Sequence, residues 1–132
     1  MADIKKLNGY NLKDLYARTI YDYLYNFEHA SFGTEQAIGK IGNKVIYRKV
    51  IRNTSTHSST YTIDSSLKTG NISDLLFLHG THLVSGTWLG DVDQYAGGAR
   101  YYVNAAITSS GVQVSIQNYN VSKSIVVAIY TK

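Results

Sequence analysis

With 132 residues, 44% of them apolar and 17% charged, the chain can build one folded core but is too short for two ordinary domains. The absence of cysteine excludes disulfides and thiolate metal sites, and the formal charge of +4 is scattered, so no clustered nucleic-acid footprint exists. No apolar run reaches membrane-spanning length and the N-terminus MADIKKLNGY lacks a signal-type apolar segment, so a soluble protein made in the cytoplasm is expected, without membrane insertion.

Twelve tyrosines stand against three Phe and one Trp, and there is no proline. Tyrosine packs through its ring and hydrogen-bonds at its tip, which suits strands, interfaces and wet binding surfaces. A small domain without staples also leans on oligomerisation.

In chain order, Ile4 to Asp14 holds an Asn8-Gly9 turn signal and predicts a small hooked arm. Leu15 to Phe27 predicts the one helix: Tyr16, Ile20, Tyr23 and Phe27 step by four, three and four along one stripe. Two heptads are too few for a coiled coil alone, so this seam is expected to bundle with copies of itself, helped by an attached β-domain. Gly33 ends the segment. Thr34 to Arg52 then reads as a hairpin: an apolar-polar alternation, a Gly42-Asn43 turn, and the β-forming run Val45, Ile46, Tyr47, Val50 and Ile51. Arg48 and Lys49 interrupt that run and are expected at a subunit boundary.

Beyond it, Asn53 to Ser59 reads as a loop, Tyr61 to Ile63 as a short strand and Leu67 to Ser73 as a connection. Leu75 to Val84 is the most apolar run, with Gly80 expected to mark a bulge or bend. Gly86 to Gly98 is expected to be a glycine-rich loop. Strands follow over Arg100 to Ile107, Val112 to Asn118 and Ile125 to Tyr130, with period-two alternation. The predicted fold is mainly β: an arm and helix over residues 1–33, then an antiparallel sandwich or jelly-roll-like head of about seven strands over 34–132.

No nucleophile motif, phosphate loop or dinucleotide fingerprint is present, and no carboxylate pair is spaced for glycoside hydrolysis. His79 and His82 lie three apart, on opposite faces of a strand, so joint zinc ligation needs a bend at Gly80. Asp91 and Asp93 make only a fragment of a calcium loop. No catalytic residue, metal or cofactor is therefore assigned. What remains is a binding surface in Trp88, Asp91, Asp93, Tyr95, Arg100 and Tyr102, near Gln94, Tyr101 and Asn104. Aromatic faces beside planar polar groups suit sugars, although the same rings serve equally as core or subunit contacts.

Three stretches carry a resemblance. The run Glu35 to Ile51, with Ile38, Gly39, Lys40, Asn43, Lys44, Ile46, Tyr47, Arg48 and Lys49, resembles a hairpin that opens small β heads in tail proteins of phages infecting Gram-positive bacteria. The ending Ile129 to Lys132 looks like the close of the same proteins, and Lys6 to Arg18 is similar to a segment ahead of helices in tail-fibre and baseplate subunits. The resemblance implies a receptor-binding or tail-tip protein of the virion. It implies a homotrimer with bundled N-terminal helices, side-by-side heads and a host cell-wall glycan as ligand, with other tail or baseplate proteins as further partners. The alternative is a structural baseplate or tail-tip subunit with protein-only contacts; a small wall hydrolase is a third reading.

Overall fold

The computed structural model describes residues 31–132; the expected arm and the helix seam of Tyr16, Ile20, Tyr23 and Phe27 lie outside the described residues. Nine strands run through it: β1 (Glu35–Ile41), β2 (Lys44–Asn53), β3 (Tyr61–Asp64), β4 (Asp74–Val84), β5 (Thr87–Gly90), β6 (Val92–Ala96), β7 (Ala99–Thr108), β8 (Gly111–Gln117) and β9 (Val121–Thr131). They form two sheets, ordered β1-β2-β9-β4-β5 and β3-β8-β7-β6, and every pairing is antiparallel. The architecture is a mainly β sandwich, as the alternating patterns predict. A 3-10 turn over Thr69–Asn71 fills part of the β3–β4 connection.

The opening hairpin forms at the predicted place. Ile41 faces Lys44 across Gly42-Asn43, and Gly42 takes φ +57°, the left-handed geometry glycine tolerates at no steric cost. β9 lies between β2 and β4 in the middle of the larger sheet, so Val127 is flanked by Val50 on one side and His79 on the other.

Alternation decides which side chains meet between the sheets. Ile51 of β2, Val84 of β4, and Val126, Ala128 and Tyr130 of β9 point inward from the larger sheet. They pack with Val103 of β7 and with Val112, Val114 and Ile116 of β8. Leu67 and Val121 complete the buried cluster.

Three expectations change. The stretch Gly86 to Gly98 is not a loop: it contains β5 and β6, separated by Asp91 alone. These strands are short, and with Trp88 and Tyr95 facing outward and Gln94 inward they show no period in the sequence. Gly80 marks no bulge, since register shifts in β4 fall between Leu75 and Phe77 and between Leu83 and Val84. Glycine is needed there for room, because a Cβ would sit 2.6 Å from His82 Nε2 and 2.7 Å from Asp91 Oδ1. Lys49, expected at a subunit boundary, instead points into the sandwich, 7% exposed, with Nζ 2.5 Å from Asp64 Oδ2 and 2.7 Å from Ser66 Oγ. A buried lysine needs such partners, since an isolated ammonium in an apolar interior would not stay charged.

Candidate functional site

The six residues expected to bind together are divided by the crossing from β5 to β6. Trp88 of β5 pairs with Leu83 of β4, one position from the buried His82, so both lie on the outer face of the larger sheet. Asp93 and Tyr95 of β6 pair with Tyr102 and Arg100 of β7, one position from the Val92–Val103 pair that faces the core. These four therefore share the outer face of the smaller sheet. Asp91 belongs to neither group. The structure brings four of the six together and leaves Trp88 on the opposite face of the sandwich.

The β6–β7 surface has a defined geometry. Arg100 donates Nε to Asp93 Oδ1 at 2.9 Å and Nη2 to Asp93 Oδ2 at 2.5 Å, a bidentate fork that fixes both planar groups. The hydrogen bond from Arg100 holds the Asp93 carboxyl below its usual range, and the same bond raises Arg100 further above its own. The guanidinium carbon lies 5.0 Å from the centre of the Tyr102 ring. Beside them Tyr95 is 77% exposed. Asn104 continues the face toward Ser115 of β8, and Gln113 donates Nε2 to Thr62 Oγ1 of β3 at 3.2 Å. Gln94 and Tyr101 take the inward alternation; Gln94 Nε2 donates to the Tyr119 hydroxyl at 2.8 Å, and the Tyr101 and Tyr119 rings stand 5.6 Å apart.

Asp91, the one residue between β5 and β6, uses its carboxylate inside the protein. Oδ1 accepts from Ala105 N–H of the smaller sheet at 3.0 Å and from His82 Nε2 of the larger sheet at 2.8 Å. Oδ2 accepts from Gly80 N–H at 3.0 Å. Burial acts to raise the Asp91 pKa, but the bonds from His82, Gly80 and Ala105 outweigh it and hold the carboxyl below the ordinary range. Such an occupied carboxylate is a staple between sheets.

The network extends inward. His82 Nε2 meets Asp91, and Nδ1 on the other side of the ring lies 2.9 Å from Ser124 Oγ. Ser124 Oγ accepts in turn from the Tyr61 hydroxyl at 3.2 Å. Burial raises the Tyr61 pKa, which keeps that hydroxyl a donor. A Ser-His-Asp sequence of bonds invites comparison with a nucleophile assembly, yet His82 and Ser124 are both 0% exposed. A substrate cannot reach the serine oxygen, so the chain acts as a polar strut of the core. Sequence reading missed it because its partners sit on three strands and one junction residue.

His79 and His82 do point to opposite faces, as their spacing predicts. Asp91 lies nearest both, 2.8 Å from His82 Nε2 and 3.9 Å from His79 Nδ1. Among the described residues no group of three or more His, Asp or Glu is placed to hold a metal ion, and no helix is long and apolar enough to cross a membrane.

A second surface lies on the outside of the larger sheet. Ile46 and Val50 of β2, Ile125, Val127 and Ile129 of β9, and Leu83 of β4 alternate outward and are only half-buried. Phe77 and Trp88 are 47% and 50% exposed beside them. Arg48 shares this face; its Nη2 donates to Gln36 Oε1 at 3.1 Å, while its Nε is buried without a partner among the described residues. A lone exposed apolar residue is ordinary; here outward apolar side chains lie on three neighbouring strands, with Arg48, Arg52 and Lys123 among them. No protein-family model matches the chain, and neither does a curated protein or a solved structure.

Proposed function

We propose that this chain is a host-adhesion module of a phage tail, a homotrimer whose β-sandwich head holds a host cell-surface saccharide without hydrolysing it. The observation that carries this reading is the solvent-facing set of Asp93, Tyr95, Arg100 and Tyr102 on β6–β7. A pyranose C–H face fits against the open Tyr95 ring, while its hydroxyls meet the remaining lone pairs of Asp93 and the outer N–H groups of Arg100. The fork between Asp93 and Arg100 holds those groups in place before a ligand arrives, so little ordering cost falls on binding. The resemblance of the opening hairpin to tail proteins of phages infecting Gram-positive bacteria supports the setting, a virion tail or baseplate. The reading requires no metal or cofactor.

The apolar outer face of the larger sheet supports packing of each head against copies of itself. Arg48 and Arg52 of β2 and Lys123 of β9 share that face. Placed against itself across a two-fold axis, such a surface would oppose cation to cation. A three-fold ring instead sets it against a different surface of the next copy, which avoids the repulsion. Mass measurement in solution tests this directly: a monomer refutes the trimer.

The same apolar face favours a second reading, a structural baseplate or tail-tip subunit whose contacts are with protein alone. An array of Gram-positive wall polysaccharides separates the two. Saccharide capture that is lost in Tyr95→Ala and Tyr102→Ala, with melting unchanged, supports adhesion through β6–β7. A folded oligomer that captures no glycan supports the structural subunit.

A further inference from the structure

The start of β1, the middle of β2, the end of β9 and the β3–β4 connection line an open cavity of about 410 Å³. It lies at the larger sheet, apart from the β6–β7 face. Lys49 and Tyr130 are its most buried polar walls, at 7% and 0% exposure, and Glu35, Ser66, Asn71 and Lys132 line it with them. Packing alone does not ask for a lysine at position 49. Its neighbours on the same side of β2, Tyr47 and Ile51, belong to or pack against the apolar core, and an aliphatic side chain at 49 would continue their row. A charged group held there, beside an open cavity, is the kind of feature that marks a ligand site.

The charges around the cavity cancel. Lys49 is bound to Asp64 and to Ser66 Oγ. Lys132 Nζ lies 2.6 Å from Glu35 Oε1, and the Tyr130 hydroxyl donates to Glu35 Oε2. Two ammonium groups thus face two carboxylates. An anionic or cationic ligand would have to break one of these pairs to gain anything. A neutral hydroxyl breaks none, because it can donate to the lone pairs left on Glu35 and accept from the N–H groups left on Lys132. We propose that this cavity binds a neutral sugar unit, held by hydroxyl contacts to Glu35, Lys132, Ser66 and Asn71. Every polar wall is already oriented by a partner: the Asn71 side chain, for instance, accepts from Lys68 N–H at 3.2 Å. The site is therefore formed before the ligand enters.

This site stands independently of the β6–β7 reading, and the two can be tested separately. The full chain, labelled with 15N, is titrated with D-glucose, with N-acetyl-D-glucosamine and with inorganic phosphate. A saturable shift of the Gly33, Ser66, Asn71 and Lys132 amides by at least one sugar, and none by phosphate, is the expected result. Lys132→Met, on the exposed rim, should weaken sugar binding roughly tenfold, the factor one lost charged hydrogen bond produces. Glu35→Gln keeps the shape but removes one anion, leaving the walls with a net positive charge; phosphate should then shift the same amides. Melting curves show that each variant is folded, and Tyr95→Ala should leave the cavity shifts unchanged. The proposal is overturned by no saturable shift from either sugar, by sugar shifts confined to β6–β7, or by Lys132→Met and Glu35→Gln both behaving as wild type. The first and third outcomes leave the β6–β7 reading untouched, and the second favours it.

Discussion

Replacing Asp91 with alanine should weaken the joint between the two sheets at the residue where the chain passes from β5 to β6. Three donors lose their acceptor: Gly80 N–H, Ala105 N–H and His82 Nε2. A buried donor left without a partner costs about 1–3 kcal/mol. The Asp91 side chain is 24% exposed, so water can reach part of the vacated space and the lower half of that range applies. The sum is roughly 3–6 kcal/mol, a large share of the stability of a domain this size. Urea unfolding followed by far-UV circular dichroism measures it; with a slope of about 1.5 kcal/mol per molar, the midpoint should fall by roughly 2–4 M. Asp91→Asn keeps one acceptor oxygen but turns an amide N–H toward a backbone N–H, and should cost about half as much. The deficit should also shrink in acid. The folded carboxyl titrates below its unfolded value, so its contribution is present above the ordinary carboxylate pKa near 4 and is lost as pH falls through the folded pKa. An Asp91→Ala protein within about 1 kcal/mol of wild type at neutral pH would refute the assignment of Asp91 as the staple.

Other positions give independent tests. Gly80→Ala drives a Cβ into the His82–Asp91 contact, whose ring is buried and cannot swing away; thermal melting should show a loss of about 2–3 kcal/mol. Lys49→Met leaves Asp64 without its cation and should cost about 3 kcal/mol at neutral pH. Burial acts to raise the Asp64 pKa, but bonds from Lys49 and Ser66 hold it below the usual range; the Lys49→Met deficit should therefore fade below pH about 4, seen in melts across pH. Val127→Lys places a charge in the middle of the apolar outer face; the trimer proposed above should then fall to single chains by solution mass, with the circular dichroism spectrum unchanged.

Some elements could be read from residues alone because one local cause sets them. The Gly42-Asn43 turn, the alternation of Val112 to Gln117 and that of Ile125 to Tyr130 are of this kind, and each appears where the pattern places it. Three features were not legible, for a common reason. Trp88 and Tyr95 are close in sequence, yet the chain changes sheets at Asp91 between them, which sends the two rings to opposite outer faces. No periodicity records a change of sheet. His82, Asp91 and Ser124 form one hydrogen-bonded unit although each, taken singly, reads as an ordinary polar residue. A charge inside a β-forming run normally lies on an outer face, and only the position of Asp64 across the sandwich explains the inward turn of Lys49.

The place of β9 bears on how the protein is made. It is the last of the nine strands, yet it fills the gap between β2 and β4, pairing with both along most of its length. As a ribosome extends the chain, β2 and β4 must wait with open edges, apolar on both faces, until residues 121–131 have emerged. That interval exposes the nascent domain to edge pairing with its neighbours. A β9 from an adjacent copy on the same message could fill the gap equally well. Assembly during synthesis and exchange of this strand between copies thus become two outcomes of one delay.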